Sequence, residues 1–232
     1  MLLRRILLLS AFVLPPLPLL AGCPKSEDPE TPDGGFDAAS ICPTGFLGDP
    51  SKEPVVELRA LKADGTDVPI GEGDDLAILF PPQGGRVSFV GVRATNIDGC
   101  AVQIIGALRD PISKQVRFDG RTVNLRREPD GWGTTGRGSK TKIEDSDEIG
   151  EYSNIPLCPN QWAEDDIFDK PYDLEIEIID RFQKVRVLKK ISVIPRCAEP
   201  GPKETACRCL CRKGYVLGEL CGEDAGVEAG TQ

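Results

Sequence analysis

"PYDLEIEIIDRFQKVRVLKKISVIP", residues 171–195, decides the fold class. From Asp173 onward, Leu174, Ile176 and Ile178 fall on one side while Asp173, Glu175 and Glu177 fall on the other. Successive side chains of an extended chain point to opposite faces. Such strict alternation therefore describes a strand with one buried face and one wet face. "RFQK" reads as a turn, and Val185 to Ile194, rich in β-branched residues, reads as the returning strand.

The same signals extend towards the amino terminus. In "VVELRALK", Val56, Leu58 and Ala60 alternate with Glu57, Arg59 and Leu61. "LAILF" is a short apolar run, and Gln83-Gly84-Gly85 forms a tight turn into the strand "RVSFVGVRAT". That strand changes phase near Gly91, where a bulge is expected. "AVQIIGALRD" is apolar on both faces, and "RTVNLRR" is short and alternating. A 3.6-residue apolar period is almost missing; "NQWAEDDIF" is the one place where a helical turn fits. Seven or more short strands separated by turn signals predict an all-β sandwich over residues 53–198.

The layout of "PYDLEIEIID" and "KVRVLKKISVIP" resembles the last two strands of an immunoglobulin-like domain, with Tyr172 at the corner. The Cys-Trp-Cys pattern of true immunoglobulin domains is not evident. Trp132 and Trp162 read as core or rim residues. Glu144, Asp145, Asp147 and Glu148, and separately Glu164, Asp165 and Asp166, offer hard oxygens for Ca²⁺. Neither run has a recognised ligand spacing, so both read as solvated loops.

The amino terminus carries an address. Arg4 and Arg5 precede an apolar stretch, Ile6 to Leu14, that prolines interrupt before it is long enough to span a bilayer. Residues 1–22 read as a secretory signal. Leu20-Ala21-Gly22-Cys23 resembles the lipobox of bacterial lipoproteins. The resemblance implies that the Cys23 thiol receives a diacylglycerol, that the chain is cut before it and that the new terminus is acylated. A lipid bilayer is then the first partner. Pro24 stands where Asp would imply retention at the inner membrane, which leans towards the outer membrane. Residues 23–52, acidic and proline-rich, read as a disordered tether.

"FPPQGGRVSFVGVRATNIDGCAVQIIGALRDP", residues 80–111, is similar to a block that recurs in lipoproteins of myxobacteria and their relatives. Acidic DGG-type tethers and cysteine-rich tails accompany it there. The resemblance implies no activity.

Charge and cysteine content narrow the chemistry. Without the two leader arginines, 26 basic residues face 37 acidic ones, a net −11. That balance disfavours nucleic acid as a partner. The chain has no histidine, which removes Ser-His-Asp and Cys-His catalysis and the commonest zinc ligand. With Cys23 taken by lipid, eight cysteines remain: Cys42, Cys100, Cys158, Cys197, Cys207, Cys209, Cys211 and Cys221. An even number in an exported chain points to up to four disulfides rather than a metal site, and no cofactor is expected.

Residues 199–223 form a cysteine-rich segment, and 224–232 a disordered tail. Cys207, Cys209 and Cys211, placed as on a strand, are expected to reach different partners. From Cys209 to Cys221 the segment resembles the closing loop of an EGF module, which implies a Cys211–Cys221 bond. The reading of function is a membrane-anchored envelope lipoprotein that binds an envelope protein or a glycan and is not an enzyme. The alternatives are a carboxylate-based glycan-active enzyme and a purely structural spacer.

Overall fold

Alternation in the 172–179 stretch becomes burial. Leu174, Ile176 and Ile178 are fully buried, while the three acids that alternate with them are partly exposed. This computed structural model describes residues 42–136, 140–161, 163, 165–180 and 185–222. The signal segment, Cys23, Trp162, Glu164, the 181–184 turn and the 224–232 tail lie outside the described residues.

In chain order the elements are β1 (Phe46–Leu47), β2 (Val55–Leu61), β3 (Asp67–Pro69), β4 (Asp74–Ile78), β5 (Arg86–Thr95), β6 (Ile97–Asp98), β7 (Val102–Arg109), β8 (Val116–Val123), β9 (Arg126–Arg127), β10 (Gly133–Thr134), α1 (Ser146–Ile149), β11 (Ser153–Cys158), β12 (Tyr172–Ile179), β13 (Arg186–Cys197) and α2 (Pro202–Cys211). One sheet has the order β4-β13-β12-β7-β8, with β4 running parallel to β13 and the other pairs antiparallel. The second has the order β3-β2-β5-β10-β9, with β11 also on β5. After β4, Leu79 bridges to Val87 of β5, so this segment passes from one sheet to the other.

The inward faces of both sheets share one core. Val56, Leu58, Val90 and Val92 from one side meet Ile104, Leu174, Ile176 and Ile178 from the other. The fold is all-β, an immunoglobulin-like sandwich. At its corner, Tyr172 is buried and its hydroxyl donates to the Asp166 carbonyl, 3.3 Å away and six residues upstream. On the wet face, the acidic stripe of β12 is neutralised across strands. Arg109 pairs with Glu175, Lys190 with Asp173 and Glu175, and Arg186 with Glu177.

Glycine sets how closely the sheets approach at one position. A Cβ on Gly106 would lie 2.7 Å from both Ser153 Oγ and Val90 Cγ2. With no side chain there, the Ser153 hydroxyl accepts from the Gly106 N–H at 3.2 Å and donates to the Asp119 carbonyl at 2.8 Å. This stitches β11 to β7 and β8.

Several expectations are corrected. Gly91 makes no bulge: β5 pairs regularly with β2 from Val90 to Thr95, with Gly91 opposite Arg59. Its bare backbone instead admits Thr135 and the Tyr152 ring, which a Cβ would meet at 2.1 and 2.9 Å. The register shift falls on β11, between Pro156 and Cys158. The tether boundary at residue 52 is too late. Cys42 is bonded to Cys100, and Leu47 is fully buried on β1, which pairs with β6. The described part of "NQWAEDDIF" is turn and bend, and the helices lie elsewhere. Within the cysteine-rich segment, Cys207 and Cys211 of α2 belong to the main core cluster.

Candidate functional site

Where the two sheets part, the hairpin between β2 and β3 forms the centre of a set of grooves. Lys62 N–H donates to the Thr66 carbonyl and Gly65 N–H to the Lys62 carbonyl, both at 2.9 Å. The Asp64 carboxylate accepts from the Thr66 N–H at 2.9 Å, which holds its pKa below the usual range. Gly65 has φ +78°, and a Cβ there would lie 2.0 Å from the Thr141 carbonyl. Only a glycine lets the hairpin tip lie this close to the Lys140–Ile143 segment.

Two grooves share Lys62, Asp75 and Ala77. The first, about 540 Å³, runs over Ala60, Leu61, Val68 and Ile70 between the edge strands β3 and β4. The second, about 480 Å³, adds Ala63, Asp64, Arg196 and Ala198. Two further depressions share Ala63, Ile143 and Glu144 with each other, and one of them reaches Phe80, Glu199 and Lys203 at the start of the α2 region. Ala63 is common to three of the four. The lining mixes apolar residues, from alanines to Leu61 and Ile70, with charges of both signs. Such a surface suits an extended polar chain with short apolar side groups better than a compact apolar ligand.

Beneath this surface lies a buried ion pair. Arg86 of β5 is fully buried and donates to Glu199 at 2.8 Å and to the Lys203 carbonyl at 3.2 Å, with its guanidinium 4.7 Å from the Phe80 ring centroid. Lys203 Nζ reaches the other Glu199 oxygen at 3.1 Å. These contacts fasten the α2 region to the second sheet.

The eight cysteines form four disulfides: Cys42–Cys100, Cys158–Cys211, Cys197–Cys207 and Cys209–Cys221. The Cys211–Cys221 bond that the EGF resemblance implies is not formed. Residues 202–211 are helical rather than extended, so Cys207 and Cys211 lie one turn apart on the buried face. They reach Cys197 and Cys158, while Cys209 takes Cys221. Pro202 at the first helical position and the spacing of Ala206, Cys207, Leu210 and Cys211 are the sequence signals for this helix. The sulfurs of Cys197, Cys207 and Cys211 lie within 4.8 Å of one another. All three are consumed in disulfides, and a disulfide sulfur lacks the thiolate charge that binds zinc.

Four members of the acidic runs have partners of their own. Asp145 caps α1, accepting from the N–H groups of Asp147 and Glu148, and Glu148 accepts from the Lys142 N–H at 2.8 Å. Asp165 pairs with Lys170, and Asp166 accepts from the Lys213 N–H. Trp132 carries the Arg93 guanidinium 4.4 Å above its ring, and Arg93 is in turn held by Glu57, Glu128 and Asp130. That indole face is thus already occupied. Asp67 is buried, and desolvation raises its pKa; Arg59 at 3.1 Å and the Tyr152 hydroxyl at 3.3 Å engage its oxygens.

Among the described residues, no helix is long and apolar enough to cross a membrane. No protein-family model matches the chain, and no curated protein matches it.

Proposed function

We propose that this chain is a lipid-anchored protein of the bacterial envelope, on the outer membrane, whose sandwich acts as a non-catalytic binding module. The Cys23 thiol would carry the acyl groups, and several acyl chains together make a stable anchor. The groove around Ala63 would take an extended segment of an envelope protein or a glycan.

The observation that carries the binding reading is the groove itself. It lies between edge strands of both sheets, is lined by apolar residues together with Lys62, Asp64, Asp75 and Arg196, and is backed by a filled core and a buried ion pair. A rigid support under a shallow, mixed-charge surface favours binding, since little conformational freedom is lost there. The anchoring reading rests on Leu20-Ala21-Gly22-Cys23 and on the basic and apolar residues before it.

The test is site-specific photocrosslinking in the native envelope. Benzoylphenylalanine at residue 63 should give a discrete adduct that the same probe at the exposed Ile112 does not give. Identical patterns from both positions, or none from either, would remove the groove as the binding surface. A pure spacer gives the latter result.

A further inference from the structure

A strand at the edge of a sheet carries main-chain groups with no ladder partner, and folded proteins blunt or cover them. On β3 the bonds of Thr66 and Ile70 to β2 turn the alternate positions Asp67 and Pro69 outward. Pro69 has no N–H, and the Asp67 carbonyl accepts from Arg59 Nη2 at 2.8 Å. On β8 the Asp119 carbonyl accepts from the Ser153 hydroxyl at 2.8 Å.

β4 is different. The main-chain groups of successive strand residues point to opposite sides. Leu79 exchanges bonds with Val87 of β5 at 2.8 and 3.0 Å, and the Ala77 carbonyl accepts from Ser88 Oγ at 2.7 Å. Residues 75, 77 and 79 therefore face away from β13, and 74, 76 and 78 face it. From the other side, the Pro195 carbonyl accepts from the Asp169 N–H, which leaves Ile194 and Arg196 to bond the even-numbered residues of β4. Gly73, whose N–H reaches Ser192, lies in the turn before β4 at φ +80° and stands outside this alternation. Among the described residues nothing takes the Asp75 N–H, the Asp75 carbonyl or the Ala77 N–H. Asp75 and Ala77 line the first groove, with β3 as its opposite wall. The two acids that could guard this edge are tied back. Asp74 accepts from the Gly71 N–H at 2.8 Å, and Asp75 is held by Arg196 at 2.9 Å.

We infer that β4 takes a single extended peptide segment as an added strand, paired to Asp75 and Ala77 inside the groove. The inference rests on the groove reading above and selects peptide over glycan. Main-chain donors and acceptors at strand spacing match another extended main chain. The residues that line the groove include no aromatic ring on which a sugar could stack. Leu61, Val68 and Ile70 meet every second side chain of such a segment, so an apolar residue at alternate positions suits it. An edge strand of a second folded copy arrives with its own neighbour about 4.8 Å behind it. With β3 as the facing wall, the groove has a place for one chain and not for a sheet.

The test selects dodecapeptides from a phage-displayed library on the chain from residue 24, and the enriched sequence is synthesised as the probe. Amide exchange is followed by NMR with and without it. In the chain alone, Leu76 and Ile78 should be protected while Asp75 and Ala77 exchange fast. The probe should slow both fast amides. N-methylation of the probe should weaken binding about tenfold at every second residue and little at those between. Ala77→Pro removes the N–H that faces the groove and leaves the bonds to β13, so it should abolish probe binding in a chain that still shows no free thiol. Should that variant fail to fold, the exchange and N-methyl results decide on their own. Slow exchange of Asp75 and Ala77 in the chain alone overturns the inference, as does a probe that leaves both unchanged, an N-methyl profile without alternation, or no enrichment. Slowing that grows with protein concentration without probe points to a second copy and also overturns it. A glycan adduct from residue 63 with no enriched peptide would leave the groove reading standing and remove strand addition alone.

Discussion

Removing the Cys158–Cys211 bond tests how the C-terminal helix is joined to the sandwich. The bond connects residues 53 apart. The chain-entropy model assigns a loop of that length about 4 kcal/mol at 25 °C. Both cysteines are buried, so alanine at each also leaves a small cavity, worth about 1 kcal/mol more. With a urea slope of about 2 kcal/mol/M, Cys158→Ala/Cys211→Ala should lower the unfolding midpoint by roughly 2.5 M in the absence of reductant. Cys209→Ala/Cys221→Ala opens a separation of only 12 and should cost about 3 kcal/mol. Thiol titration of the denatured proteins supplies the sharper contrast. Both of these variants should show no free thiol, whereas Cys211→Ala/Cys221→Ala should strand Cys158 and Cys209 and show two. The reverse outcome, two thiols in Cys158→Ala/Cys211→Ala and none in Cys211→Ala/Cys221→Ala, would refute the reasoning and restore an EGF-type pairing.

Other consequences concern charge and packing. Burial, with the Asp110 charge nearby, pushes the Tyr172 hydroxyl up to about 12. A raised folded-state value means stability is intact below pH 10 and is lost as pH rises towards 12, by on the order of 2–3 kcal/mol; Tyr172→Phe should flatten that slope in alkaline denaturation. At the acid end, hydrogen bonds from Arg109 lower Glu175, and those from Arg208 and Arg196 lower Asp169. Stability that these carboxylates contribute is present above the ordinary carboxylate range and should fall as pH drops below about 4, more gently in Arg109→Gln. Arg86→Met removes one side of a buried pair and should cost about 3 kcal/mol, the low end for such a loss because Lys203 still faces Glu199; a loss below the noise of urea unfolding would contradict the fastening role. Gly106→Ala should cost about 1–3 kcal/mol by crowding Ser153 and Val90, and an unchanged midpoint would mean the sheets are not in close contact there.

The strands were legible because their pattern is local. Leu174, Ile176 and Ile178 show a period of two within seven residues, and Tyr172 sits beside them where its hydroxyl can close the corner. The C-terminal helix was misread because three cysteines at alternate positions also suit a strand. The choice between periods turned on Ala206 and Leu210, whose apolar character is weak or shared by both readings. Gly91 invited a bulge because glycine commonly permits one, yet the pressure on that position comes from Thr135 and Tyr152, over 40 residues away in sequence. Disulfide partners are likewise long-range facts: Cys158 and Cys211 meet only after both sheets have closed. The groove was not legible at all. Its lining includes Ala60, Ala63, Ala77 and Ala198, residues that have no signal individually and become a surface only when three segments converge.

Mass spectrometry of the mature amino-terminal peptide, from protein made in a bacterial host with lipoprotein processing, tests the proposed role most directly. The expected result is a peptide that begins at Cys23 and carries a diacylglyceryl group on its sulfur. An amino terminus at any other residue, or an unmodified Cys23, would contradict it.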